Sequence, residues 1–144
     1  VNKYFNKYKK LDFLFGSVYK HKLLHGYYPK KIKWTFGFYS THSIGFFIKK
    51  EAHKKVGFYN IKYKYSADYD LFYRLIVKKK MNGMATRKSE VFGKFRRGGL
   101  SSKIRYIDFL KECSQIRLDN KQNFFLVYLI FFARLIKNFR KILL

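Results

Sequence analysis

The chain has 144 residues, with 33 Lys or Arg against 8 Asp or Glu, a formal charge of +25 at pH 7. Its 48% hydrophobic and 22% aromatic content suffices for one packed core and excludes a disordered segment despite the charge. A single cysteine, Cys113, excludes an internal disulfide framework and any metal site built on several thiolates.

The charge attracts polyanions, whether nucleic acid or anionic lipid. The Lys excess comes with many Tyr, Phe, Asn and Ile, which is equally what an A/T-rich coding sequence yields without selection for binding. Val1 to Lys10 is polar and basic, has no apolar stretch of secretory length and opens without methionine. The chain is therefore expected to begin inside a longer reading frame.

Leu11 to Tyr19 alternates aromatic and aliphatic residues around Gly16 and predicts a strand. Lys20 to Phe38 is a basic, aromatic connection carrying the only proline, Pro29. Ser43 to Ile48 predicts a buried strand. Lys49 to Val56 predicts a short polar helix ended by Gly57, the residue suited to a positive-φ cap. Phe58 to Tyr65 is an aromatic loop leading to a helix that opens at Asp68. Asn82-Gly83 marks a turn and Glu90 to Phe95 a further strand, followed by a flexible break at Gly98-Gly99.

From Ser102 to Asp119 the pattern is helical, with Ile104, Ile107, Leu110 and Ser114 on one face and Ser101 or Ser102 as N-cap. The last segment differs in kind. Phe124 to Ala133 is a wholly apolar run of ten residues, against the ~20 needed to cross a bilayer. Arg134, Lys137, Arg140 and Lys141 follow, interleaved with Leu135, Ile136, Phe139 and Ile142. That pattern fits a helix lying on a membrane surface, which the basic tail favours, with a core helix of another domain or a dimer contact as the alternatives.

In so basic a chain the paired carboxylates of Ser66-Ala67-Asp68-Tyr69-Asp70-Leu71 need a reason. At about 100° per residue, Asp68 shares a side with Leu71, Phe72, Leu75 and Ile76. Asp70 falls nearly opposite, four residues before Arg74, where an exposed pair would satisfy it. Asp68 is then either an N-terminal helix stabiliser, worth ~0.3–1 kcal/mol, or a base held at the rim of a site.

The order of motifs resembles the C-terminal, acceptor-side half of inverting family 2 glycosyltransferases, which have the GT-A fold. The likeness runs from about Leu11 to Ser102. It rests on His42-Ser43, on the basic helix closing on Val56-Gly57-Phe58, on Ala67-Asp68-Tyr69-Asp70-Leu71 with Arg74-Leu75, and on Gly98-Gly99-Leu100-Ser101. It implies an α/β fold, here an α+β fragment: residues 1–102 as a partial GT-A domain lacking its donor half, and residues 103–144 as a helical extension. By the likeness Asp68 is the catalytic base that deprotonates an acceptor hydroxyl as its oxygen attacks the anomeric carbon. His42, Asp70, Arg74, Arg97, Gly98, Gly99 and Ser101 would contact substrate.

The resemblance implies a nucleotide-sugar donor and a glycan or lipid-linked acceptor, with the protein peripheral on the cytoplasmic face of the cell membrane. It also implies a divalent metal (Mg or Mn) in the full-length enzyme, but the family's Asp-x-Asp motif is missing ahead of Leu11, where Asp12 stands alone. On this chain alone no metal site and no turnover are expected.

Several residues keep structural readings. His42 could help hold the metal or diphosphate, but a strand histidine is more often simply hydrogen-bonded in place, and His21, His25 and His53 match no zinc spacing. Arg96, Arg97 and Gly98-Gly99 read as a phosphate-meeting flap or as an exposed basic hairpin. Trp34, with Tyr27, Tyr28, Phe36 and Phe38, offers a sugar-stacking surface or core packing. Cys113 reads as a small buried hydrophobe. The competing functional reading is a non-enzymatic basic module for nucleic acid or anionic membrane, with nucleic acid the less favoured partner. Such a binder would gather Lys and Arg on one face beside exposed aromatics. A third reading is a translated fragment that does not fold alone.

Overall fold

The structure is a computed structural model and describes residues 1–20, 23–25, 32–34, 37–38, 43–95, 98 and 104–141. It mixes helices with small sheets and divides into two compact units, Val1–Phe58 with Arg74–Arg96, and Tyr59–Tyr73 with Arg97–Leu144. A division at residues 102 and 103 follows the chain, whereas these units interleave: residues 59–73 belong with the C-terminal helices.

In the first unit, helix α1 (Asn2–Lys7) precedes β1 (Phe13–Phe15), β2 (Ser17–Lys20), β3 (Leu23–His25), β4 (Lys33–Trp34), β5 (Gly37–Phe38), β6 (Phe46–Ile48) and helix α2 (Lys50–Val56). The unit closes with β7 (Gly83–Ala85) and β8 (Val91–Phe95). One sheet has the order β6-β1-β7, with β1 antiparallel to β6 and parallel to β7. A second has the order β3-β2-β8, with β2 antiparallel to β3 and parallel to β8; β4 and β5 pair as a hairpin.

The expected strand over Leu11–Tyr19 thus forms as two, broken at Gly16, whose N–H donates to the Gly45 carbonyl at 2.7 Å. Phe13, Leu14 and Phe15 are fully buried on both faces of the sheet, as a central strand with parallel pairing requires. Leu14 packs with Phe47 and Met84, its register partners, and with Tyr4 and Leu11. Phe13 and Phe15 meet edge-on with ring centroids 5.2 Å apart, and Phe46 lies 5.7 Å from Phe15. Phe13, Leu14 and Phe15 each contribute about 1.5–3 kcal/mol by leaving water.

Three expectations are corrected here. Only Phe46–Ile48 of the predicted Ser43–Ile48 strand is extended; Ser43–Gly45 is a 3₁₀ turn. β6 is half-buried, being an edge strand. Asn82-Gly83 is not a free turn: Asp12 N–H donates to the Asn82 carbonyl at 2.8 Å, and Asn82 N–H returns to Asp12 Oδ2 at 2.9 Å, carrying the β1–β7 ladder one step further. Residues 2–7, with no element expected, form α1. Buried Tyr4 anchors it through a short hydrogen bond to the Glu90 carboxylate, while Lys3 Nζ lies 3.2 Å from Glu90 Oε1.

Helix α2 forms as expected, burying Ala52 and Val56 one turn apart and ending at Gly57 with φ +87°. Its last carbonyls are covered by Arg74, whose Nη1 donates to Val56 O at 2.6 Å and whose Nη2 donates to Phe58 O at 2.8 Å. A guanidinium suits this end of a helix, where unpaired carbonyls carry partial negative charge.

The second unit contains α3 (Ala67–Tyr73), α4 (Tyr106–Asp119) and α5 (Phe124–Lys137). From α3 the chain continues into a π-helical stretch, Arg74–Lys78, with Lys79 N–H reaching back to Arg74 O at 2.8 Å. Helix α4 starts later than Ser102: Arg105 occupies its N-cap position and pairs with Asp108 at 2.7 Å, while the expected caps Ser101 and Ser102 lie outside the described residues. Its buried side is Leu110, Cys113, Ile116 and Arg117, with Ile104, Ile107 and Ser114 only half-buried. α5 is capped by Asn123, whose side chain accepts the Leu126 N–H at 3.1 Å.

Gly83 faces the Phe13 ring so closely that an added Cβ would overlap it. Gly83→Ala is expected to lower stability by about 1–3 kcal/mol through this overpacking, read as a shift in the urea unfolding midpoint.

Candidate active site

The loop ahead of α3 is held down by carboxylates of α4. Glu112 accepts the backbone N–H of Lys64 at 2.8 Å and of Tyr65 at 3.1 Å. Asp119 accepts from Lys62 Nζ at 2.7 Å, Tyr63 Oη at 2.6 Å and Gln115 Nε2 at 2.7 Å. These partners hold the Asp119 carboxyl down at about 2, Lys62 first among the causes. Apart from the Gln115–Asp119 pair, four apart on one helix, no spacing rule reveals these contacts, because they join residues 47 to 57 positions apart.

Asp68 lies in the first turn of α3, half-buried, and its carboxylate accepts the N–H of Tyr69 at 2.8 Å. Burial pushes its pKa above the ordinary 3.8; its own and Tyr69's N–H groups oppose that shift, and the Glu112 charge adds to it. Tyr59 flanks it: burial raises that phenol, and the Asp68 charge raises it further.

Asp70 departs from expectation. It is 2% exposed and accepts from Asn120 Nδ2 at 3.1 Å. Asp70, Leu71, Phe72 and Tyr73 are buried in succession, which no single helix face accommodates. An amphipathic reading therefore assigns Asp70 to solvent wrongly. Arg74 commits two nitrogens to backbone carbonyls at the end of α2.

Arg117 went unnoticed in the sequence, where a charged residue on the buried side of α4 breaks the pattern. It is 3% exposed; Nε donates to Tyr69 Oη at 2.9 Å and Nη1 to Gln122 Oε1 at 2.8 Å. The guanidinium lies over the rings of Tyr69 and Tyr73, 5.9 and 5.6 Å from their centroids. Cys113 is buried as expected, its thiol pushed up to about 12 by burial.

Of the other predicted site residues, Gly98 is exposed with φ +90° and open space around it. His42, Arg97, Gly99 and Ser101 lie outside the described residues. Trp34 is 49% exposed and lies over Gly37. A shallow hollow of 370 Å³ in the second unit is walled by Lys62, Tyr63, Asp108, Lys111, Glu112 and Gln115; Asp68 is not in its wall.

Among the described residues no group of three His, Cys, Asp or Glu could hold a metal ion. Asp68 and Asp70 do not form one, since Asp70 is turned inward onto Asn120. No step is therefore assigned to a metal on these residues. No described helix is long and apolar enough to cross a membrane. No family model, curated protein or solved structure matches the chain.

The two aspartates should separate in a stability measurement. Asp70→Ala strands a buried hydrogen-bond partner and is expected to cost about 1–3 kcal/mol. For Asp68, a folded pKa raised above 3.8 means that ionisation opposes folding. Wild type should therefore lose stability relative to Asp68→Asn as pH rises from below 3.8 through the raised value. Urea titrations of both variants at pH 3 and pH 7 check this.

Proposed function

We propose that this chain is the acceptor-side part of an inverting, family 2-like glycosyltransferase in which Asp68 is the base. The observation that carries the reading is how the carboxylates are used. Asp12, Asp70, Glu90, Glu112 and Asp119 each tie together segments distant in the chain. Asp108 forms an exposed pair with Arg105, and Glu51 lies exposed in the first turn of α2. Asp68 alone among the eight is half-buried, raised in pKa and bonded only within its own turn. A carboxylate kept at that cost without a joining role is what base catalysis needs.

In the reaction the acceptor oxygen attacks the anomeric carbon, the bond from that carbon to the nucleoside diphosphate breaks, and the acceptor proton passes to Asp68. The diphosphate leaves with the bonding electrons, and the new linkage has inverted configuration. The donor half, with its metal, would come from sequence outside this chain. The acceptor on this reading is a glycan or lipid-linked saccharide, handled by a peripheral protein at the cytoplasmic face of the cell membrane.

The test uses the reading frame that contains this chain together with a donor-binding half. Asp68→Asn is expected to lower kcat by about 10²–10⁴-fold with donor affinity unchanged. The acidic limb of kcat/KM in wild type should lie above the ordinary aspartate value of 3.8, because activity appears only as the raised group ionises. Full turnover by Asp68→Asn would move the base elsewhere.

A further inference from the structure

Helix α5 presents two unlike sides. Val127 and Ile130 are buried, and together with Tyr128 and Phe131 the helix shares a cleft with Lys111, Ser114, Gln115 and Leu118 of α4. On the other side Phe125 is 80% exposed, Leu129 61%, Phe132 54% and Ile136 76%. At about 100° per residue these four fall within an arc of roughly 60°, opposite Val127 and Ile130. They take no part in burying the α4-facing side of the helix. A continuous apolar stripe of this kind marks a contact surface.

We propose that this stripe docks on the surface of an anionic lipid bilayer, with α5 lying along it. Charge selects that occupant. Residues 120–144 contain no Asp or Glu but carry Lys121, Arg134, Lys137, Arg140 and Lys141. Of these, Lys121, Lys137 and Arg140 are exposed at the two ends of the helix, flanking the stripe, whereas Arg134 is half-buried on the side of Val127. A second copy of the chain is a poor occupant, since pairing would bring together two bodies of +25 each. Length decides the orientation: 14 residues make about 21 Å of helix, short of the roughly 30 Å of a hydrocarbon core. Phe124, Phe125, Tyr128 and Phe132 supply the rings that sit at the headgroup boundary, as in other interfacial helices. This inference rests on α5 alone and stands independently of the transferase reading.

The test is co-sedimentation of the full chain with vesicles of phosphatidylcholine, with and without 30% (~one lipid in three) phosphatidylglycerol. Binding is expected to need the anionic lipid and to weaken with salt. Lys137→Gln with Arg140→Gln should weaken it about fivefold per charge removed. Phe125→Gln with Ile136→Gln, both at highly exposed positions, should abolish it while leaving the thermal melt unchanged. Equal binding to neutral and anionic vesicles, or unaltered binding by the apolar variant, overturns the proposal. So does absence of vesicle binding, including the case where sedimentation velocity shows self-association that the apolar variant removes, which would make the stripe a contact between copies. A transfer assay is not involved, so failure here leaves the role of Asp68 untouched.

Discussion

With eight carboxylates among 33 cationic side chains, five of the anionic groups in this protein serve as joints between separate stretches of chain. Asp12 binds the start of β1 to the residue ahead of β7. Glu90 holds α1 in place through Tyr4 and Lys3. Glu112 and Asp119 fasten the loop before α3 to α4, and Asp70 ties α3 to Asn120 at the end of α4. Hydrogen bonds to ionised acceptors are about twice as strong as neutral ones, so these few contacts organise both units. The rest of the cationic surface repels itself and contributes solubility rather than shape.

That economy of acids separates Asp68 from its neighbour. Two carboxylates two positions apart on one helix have different surroundings, one enclosed and bonded across to α4, the other half-buried and bonded within its own turn. Environment assigns roles to chemically identical groups.

Local pattern made much of the fold legible. The near alternation around Gly16, the short polar helix α2 with its terminal glycine, the strand at β8 and the apolar run of α5 all appear near their expected places. These signals depend only on residues adjacent in sequence. What escaped was long-range: Asn82 reads as a turn residue until Asp12 pairs with it, and Asp70 reads as exposed until a second helix covers it. Arg117 and Tyr59 gave no signal, because one is buried against aromatic rings and the other acquires meaning only from the nearby carboxylate. Asp68 stood out in the sequence through the scarcity of acids and its motif, whereas the helical phase that set it with Leu71 and Leu75 and put Asp70 opposite fails for the pair: Asp70 is the enclosed one and Asp68 is half-buried.

The enclosed guanidinium of Arg117 has a further consequence. Its partners are a phenol, an amide and two aromatic rings, none of which takes up a proton in acid. Acidification to about 2 removes the hold of Asp119 on the loop, yet leaves the arginine clasp between α3 and α4 with no group to protonate. Acid should accordingly loosen the loop before it touches the Arg117 contacts between the two helices.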